Sequence, residues 1–177
     1  MITTSRRPVI KQCPYKAETD FGELVITTAG RPPRLAALDA AIAAITARPT
    51  SHEDFTADVA ALLPAGARAA STWHTAGWAV EVTVEARQMT TAISRPLARQ
   101  CPLSGQTGLG ALAVTLPGPA PELHALAGAV AAITARPVSR EDLIASAAAQ
   151  LPPGARVTAT WHVPGWTVEV SDAAVLR

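Results

Sequence analysis

The sequence carries no dense run of lysine or arginine. Its 15 basic and 14 acidic residues leave a formal net charge of +1, and nothing forms the basic stripe with which proteins meet phosphate backbones. Nucleic acid is therefore not expected as a partner. Long apolar runs are missing too. The longest, residues 35–47, is alanine-rich and broken by Asp39, and it is shorter than the roughly 20 residues of a membrane-spanning helix. Arg6, Arg7 and Lys11 are not followed by an apolar signal core, so a cytoplasmic location without membrane association is expected. Two cysteines are too few for a secreted disulfide framework and would be free thiols in a reducing compartment. No Cys-x-x-Cys or His-x-x-x-His pair occurs, which excludes the usual zinc spacings, and no metal is expected. Glycines cluster at residues 105–110, but between two expected strands, where a phosphate loop would need a strand followed by a helix.

What is present is a repeat. Cys13-Pro14 and Cys101-Pro102 lie 88 positions apart, and residues 8–82 align on residues 96–170 at that offset without a gap. Ala43-Ala44-Ile45-Thr46-Ala47-Arg48-Pro49 matches Ala131-Ala132-Ile133-Thr134-Ala135-Arg136-Pro137, Trp73-His74 matches Trp161-His162, and Gly77-Trp78 matches Gly165-Trp166. Two copies are too few for a solenoid, so a pseudo-symmetric pair is expected. Its units are residues 1–85 and 95–177, with 86–94 as linker. With 49% hydrophobic side chains the chain can bury a core.

Within copy one, residues 8–12 and 21–28 have the alternating, β-branched character of strands, with residues 13–20 as their connection. Leu35, Leu38, Ile42 and Ile45 recur at helical spacing, and Arg48-Pro49 ends that run because the residue before proline avoids the helical region. Ser51 is placed to cap a second helix, with Asp54 three positions on and Phe55, Val59, Leu62 and Leu63 as its apolar stripe. Residues 68–74 and 78–84 read as two further strands around Thr75-Ala76-Gly77. The expected fold class is α+β, in the order strand, strand, helix, helix, strand, strand, repeated once. Each unit of about 80 residues is marginal alone, so a homo-oligomer is expected.

Several side chains stand out chemically. Cys13 and Asp20 sit seven positions apart at the two ends of an inter-strand connection, where a thiol nucleophile would have a carboxylate beside it to handle the proton. The competing reading of Cys13 is a small buried hydrophobe. His52-Glu53 opens the second helix. Glu53 either satisfies the helix N-terminus or accepts two parallel N–H bonds from an amidine-like heterocycle edge. Glu141 repeats Glu53, whereas His52 becomes Arg140. Trp73-His74 and Trp161-His162 read mainly as packing and turn residues.

The element order is that of the tunnelling fold, or T-fold. Cys-Pro with an acid seven positions on, followed by His-Glu at the second helix, resembles the 7-cyano-7-deazaguanine reductases, the QueF-type nitrile reductases. The resemblance covers nearly the whole chain, most clearly residues 13–20 and 51–82. It implies that Cys13 corresponds to the family's thiol nucleophile, Asp20 to its proton-handling acid, and His52 and Glu53 to its substrate-gripping pair. In that family the thiol adds to a nitrile carbon to give a covalent thioimide, which a reduced nicotinamide reduces. It further implies barrel assembly and a planar heterocycle bound between units.

The chain departs from that pattern at definite places. The family's Cys-Pro-x-x-x-Gln-x-Asp keeps its acid in copy one but carries Glu18 for the glutamine, whereas copy two has Gln106 and Gly108. The family's nicotinamide-binding stretch, Glu-Ser-Lys-Ser-Leu-Lys, falls on Arg34-Leu35-Ala36-Ala37-Leu38-Asp39, and residues 120–126 match no better. Its Pro-Arg-Gly-Gly turn is replaced by Thr75-Ala76-Gly77-Trp78 and Val163-Pro164-Gly165-Trp166. No cofactor is therefore expected, NADPH included. The expected function is formation of a thioimide-type adduct between Cys13 and a nitrile or amidine carbon of a purine- or 7-deazapurine-like small molecule, completed by an amine, ammonia or water. Two alternatives stand beside it: an NADPH-dependent nitrile reductase, and a non-catalytic heterocycle-binding or scaffold protein. Cys101 is a possible second thiol, and copy two is expected to act largely as wall and scaffold.

Overall fold

A computed structural model describes residues 1–16, 18–30, 34–163 and 166–174. Ala17 of the first Cys-Pro connection and Pro164-Gly165 of the second copy's last turn lie outside the described residues. The side chain of Trp166 does as well. The fold is α+β. Strands β1 (Ile2–Gln12) and β2 (Thr19–Ala29) precede helices α1 (Leu35–Thr46) and α2 (His52–Ala61). Strands β3 (Arg68–Thr75), β4 (Trp78–Glu85), β5 (Gln88–Gln100) and β6 (Thr107–Pro117) follow, then α3 (Leu123–Thr134), α4 (Arg140–Ala148), β7 (Arg156–Val163) and β8 (Trp166–Ala173). In the first unit β1 pairs antiparallel with β2 and β2 with β3, and in the second β6 pairs with β7 and β7 with β8 in the same way. By contacts the chain divides into two compact units, Met1–Thr75 with Ala79–Thr91, and Ala76–Trp78 with Ala92–Arg177.

In unit 1 the period-two alternation of the strands sets which side chains go inward. Val9 and Lys11 of β1, Asp20, Leu24, Ile26 and Thr28 of β2, and Ala69, Ser71 and Trp73 of β3 are buried, while Ile10 and Phe21 are exposed on the opposite face. Ile42 of α1 and Phe55 and Val59 of α2 are buried with them. Ser51 caps α2 as its position suggested, its hydroxyl accepting the Asp54 N–H at 2.9 Å. Leu62, expected on the apolar stripe, falls just past the helix and is exposed.

One glycine fixes the register. Gly22 of β2 pairs with Trp73 of β3, and a Cβ at Gly22 would meet the Trp73 ring and the Thr72 carbonyl oxygen, each at 2.5 Å. The indole lies flat across the strand only because no side chain stands there. Unit 2 repeats the device, with Gly110 paired to Trp161 and equally crowded.

Residues 86–94, read as a linker, are something else. Ala86 and Arg87 both have positive φ, 49° and 66°, and β5 begins at Gln88. The connection is a two-residue hairpin turn of the primed type, which supplies the twist that flanking strands need. The remainder of the expected linker is strand.

Candidate functional site

The inward alternation of β1 and β2 puts two opposite charges face to face. Lys11 and Asp20 are direct cross-strand partners, and Lys11 Nζ donates to Asp20 Oδ2 at 2.8 Å with both side chains almost fully buried. A buried ion pair is retained only when its other hydrogen-bonding capacity is met. Lys11 Nζ also donates to the Thr50 carbonyl oxygen at 2.7 Å, and the Thr50 N–H is held by the Gln12 carbonyl oxygen at 3.1 Å. The loop before α2 is thereby tied to the end of β1.

His52, the first residue of α2, completes the cluster. Its Nε2 lies 3.1 Å from Asp20 Oδ2. Burial, followed by the repulsion of Lys11, holds its pKa below the ordinary value of 6.5, against the opposing pull of Asp20 and Glu53. A neutral ring facing a carboxylate oxygen must donate, so His52 is the Nε2–H tautomer and the contact is a hydrogen bond, not an ion pair. Trp73 forms the wall. The His52 ring stacks on it with centroids 5.1 Å apart, Lys11 Nζ sits 5.1 Å from its centroid, and Phe55 meets it edge-on at 5.3 Å. Behind these, Trp73 Nε1 donates to Ser71 Oγ at 2.7 Å, Ser71 and Thr56 share a 2.6 Å hydrogen bond, and Thr56 donates to the His52 carbonyl at 2.7 Å. The network fixes the imidazole from below.

The structure thus joins Asp20 and His52 directly. Cys13 lies two residues beyond Lys11, just past the end of β1. It is a free, half-buried thiol whose backbone N–H donates to the Glu18 carbonyl at 2.8 Å. Glu53 is half-buried in the first turn of α2, and its repeat partner Glu141 is exposed. Lys11 is a participant that no motif or spacing in the sequence singles out. With residues 13–20 as the connection, Asp20 has no strand position in the sequence; the structure extends β2 back to Thr19 and sets Lys11 and Asp20 opposite each other.

Unit 2 keeps the frame and exchanges the polar set. Lys11, Asp20, His52, Thr56 and Ser71 correspond to Arg99, Gly108, Arg140, Ile144 and Ala159. With alanine in place of Ser71, the buried Trp161 Nε1 has no partner. The thiol of Cys101, the possible second thiol, is acidified. Hydrogen bonds from the Ser104 hydroxyl, from the backbone at Ser104 and Leu103, and more weakly from Arg99 lower its pKa to about 6. At neutral pH it is predominantly thiolate.

The histidines of the Trp-His pairs do not join either cluster. His74 and His162 are exposed, and His162 Nδ1 makes only a 3.4 Å contact to Thr167. Among the described residues no three His, Cys, Asp or Glu side chains are grouped as a metal site would require, and no helix is long and apolar enough to cross a membrane. Where the resemblance would place nicotinamide-binding residues, Arg34 stands at the N-cap of α1 without a side-chain cap, and Asp39 is paired with Arg7. Compared with protein-family models, curated proteins and solved structures, the chain matches none of them.

Proposed function

We propose that unit 1 is a cysteine-dependent site of T-fold type that takes a nitrile or amidine carbon of a purine- or 7-deazapurine-like base. The observation that carries the reading is the buried Lys11–Asp20–His52 cluster where β1 ends and β2 and α2 begin, with Cys13 two residues beyond Lys11 in sequence. The Cys13 sulfur forms a bond to the nitrile carbon, the triple bond becomes a C=N double bond, and its nitrogen takes up a proton delivered through Asp20. Ammonia, an amine or water then adds to that carbon and the C–S bond breaks, giving an amidine or an amide and returning the thiol. No electrons are exchanged and no nicotinamide is needed. Glu53, whose charge reaches His52, holds the N–H edge of the ring, and Glu141 is its counterpart in copy two. The chain assembles as a homo-oligomer that closes T-fold sheets into a barrel.

A second reading, heterocycle binding without catalysis, is favoured by one specific contact. Lys11 engages the same carboxylate oxygen, Oδ2, that His52 reaches, and an ion-paired carboxylate is a poor proton carrier. Incubating the protein with 7-cyano-7-deazaguanine and ammonium, with and without NADPH, and following products by liquid chromatography separates the readings. Amidine or amide formed without NADPH supports the proposed transfer, and amine formed only with NADPH supports reduction. No product, with the base still raising the melting temperature, leaves binding alone.

A further inference from the structure

Arg99 reproduces two of the three polar contacts made by its repeat partner Lys11. Its guanidinium carbon lies 5.0 Å from the centroid of the Trp161 ring, as Lys11 Nζ lies 5.1 Å from that of Trp73. Its Nη1 donates to the Val138 carbonyl at 2.8 Å, as Lys11 Nζ donates to Thr50 at 2.7 Å. The frame is the same down to the backbone, since the Val138 N–H bonds the Gln100 carbonyl at 3.1 Å just as Thr50 bonds Gln12. The third contact, to a carboxylate, has no equivalent because Asp20 has become Gly108. Arg99 is 7% exposed and its Nε has no hydrogen-bond partner. Arg140 stands where His52 would be, and its buried Nε is also without one.

The backbone at Gly108 leaves space for the first carbon of a side chain. A Cβ built on Gly108 would have one heavy atom within 4 Å, Cε3 of Trp161 at an ordinary 3.8 Å. Arginine cannot shed its charge on burial as lysine or histidine can, and a buried guanidinium with an orphan N–H is costly until an acceptor reaches it. The thiolate of Cys101 answers part of this charge, but its main hydrogen bonds come from Ser104 and the neighbouring backbone. Two guanidiniums thus stand at repeat positions from which the carboxylate of Asp20 has been lost.

We propose that unit 2 binds the carboxylate group of a small molecule in the place that the Asp20 side chain occupies in unit 1, held by Arg99 and Arg140. The planar guanidinium fork suits a carboxylate, which it can grip through two parallel N–H bonds. Copy two is then a second ligand site of opposite polarity to the first, and it does not depend on the chemistry of Cys13.

Acetate is the probe. Thermal unfolding of the full chain at pH 7.5, in sodium acetate against sodium chloride of equal ionic strength, is expected to show a saturable rise of about 3 °C for the wild type. Gly108→Asp supplies the carboxylate internally, so it is expected to melt higher in chloride and to lose the acetate response. Arg140→Gln is expected to keep the fold and weaken the response at least fivefold in half-saturating concentration. Should Gly108→Asp fail to fold, broadening of the acetate carbon resonance by wild-type protein, and its loss with Arg140→Gln, decides the matter. Equal acetate effects on wild type and Gly108→Asp, no broadening, or a response to phosphate without one to acetate would overturn the proposal.

Discussion

At the scale of the residue, the Lys11–Asp20 pair is a liability once broken. Removing one partner of a buried ion pair strands the other, at a cost of about 3–5 kcal/mol. Asp20→Ala should therefore lower stability by that order in urea denaturation, whereas the double change Lys11→Met with Asp20→Leu should recover most of the loss. His52 makes stability pH-dependent. Its pKa is depressed in the folded chain, so the unfolded chain binds more protons as pH falls below about 6.5. Stability is full above that pH and declines below it until the folded pKa is passed. His52→Gln, which keeps a donor toward Asp20, should flatten the acid limb of a melting-temperature profile. Cys101 offers a third check. Its alkylation by iodoacetamide, followed by peptide mass mapping, should titrate near pH 6 and be nearly independent of pH above 7. Ser104→Ala, removing the main hydrogen bond to the sulfur, should move that midpoint upward.

At the scale of the element, the paired glycines and tryptophans are the tightest constraint. Gly22→Ala would press a methyl group against a backbone carbonyl and an indole, and a loss of about 2 kcal/mol or more is expected from chemical denaturation. The turn at Ala86-Arg87 works in the opposite sense. Both residues occupy left-handed backbone that costs about 1 kcal/mol each for a residue with a Cβ. Replacing the pair with Asn-Gly, the sequence such turns prefer, should stabilise the chain by about 1–2 kcal/mol. Helix ends were legible because Ser51 and Arg48-Pro49 are strong local signals. Ala86-Arg87 carries no turn chemistry, so a hairpin looked like a linker. β1 was cut short at residue 8 because Thr3, Thr4, Ser5 and Arg6 give no apolar alternation. Asp20 stands out in the sequence by its spacing from Cys13, and His52 only through the family resemblance. Lys11 was overlooked because a lone lysine reads as surface until its strand partner is known.

At the scale of the whole molecule, duplication has preserved a frame and divided its chemistry. Each unit keeps a cationic side chain against a tryptophan laid over a glycine. The side chain facing that cation is Asp20 in unit 1, whereas unit 2 has Gly108 at that position and a second arginine, Arg140, in place of His52. The outward faces retain exposed Ile10 and Phe21 in unit 1 and Leu109 in unit 2, consistent with the homo-oligomer proposed above. Light scattering should give a mass above that of one 18.3 kDa chain, and Phe21→Ser should lower it. The central claim is that Cys13 is the nucleophile. The most direct measurement is intact-protein mass spectrometry after incubation with a heterocyclic nitrile, comparing wild type, Cys13→Ala and Cys101→Ala. A single added nitrile mass is expected on wild type and on Cys101→Ala, and none on Cys13→Ala. An adduct that survives in Cys13→Ala and vanishes in Cys101→Ala, or no adduct on any of the three, would contradict it.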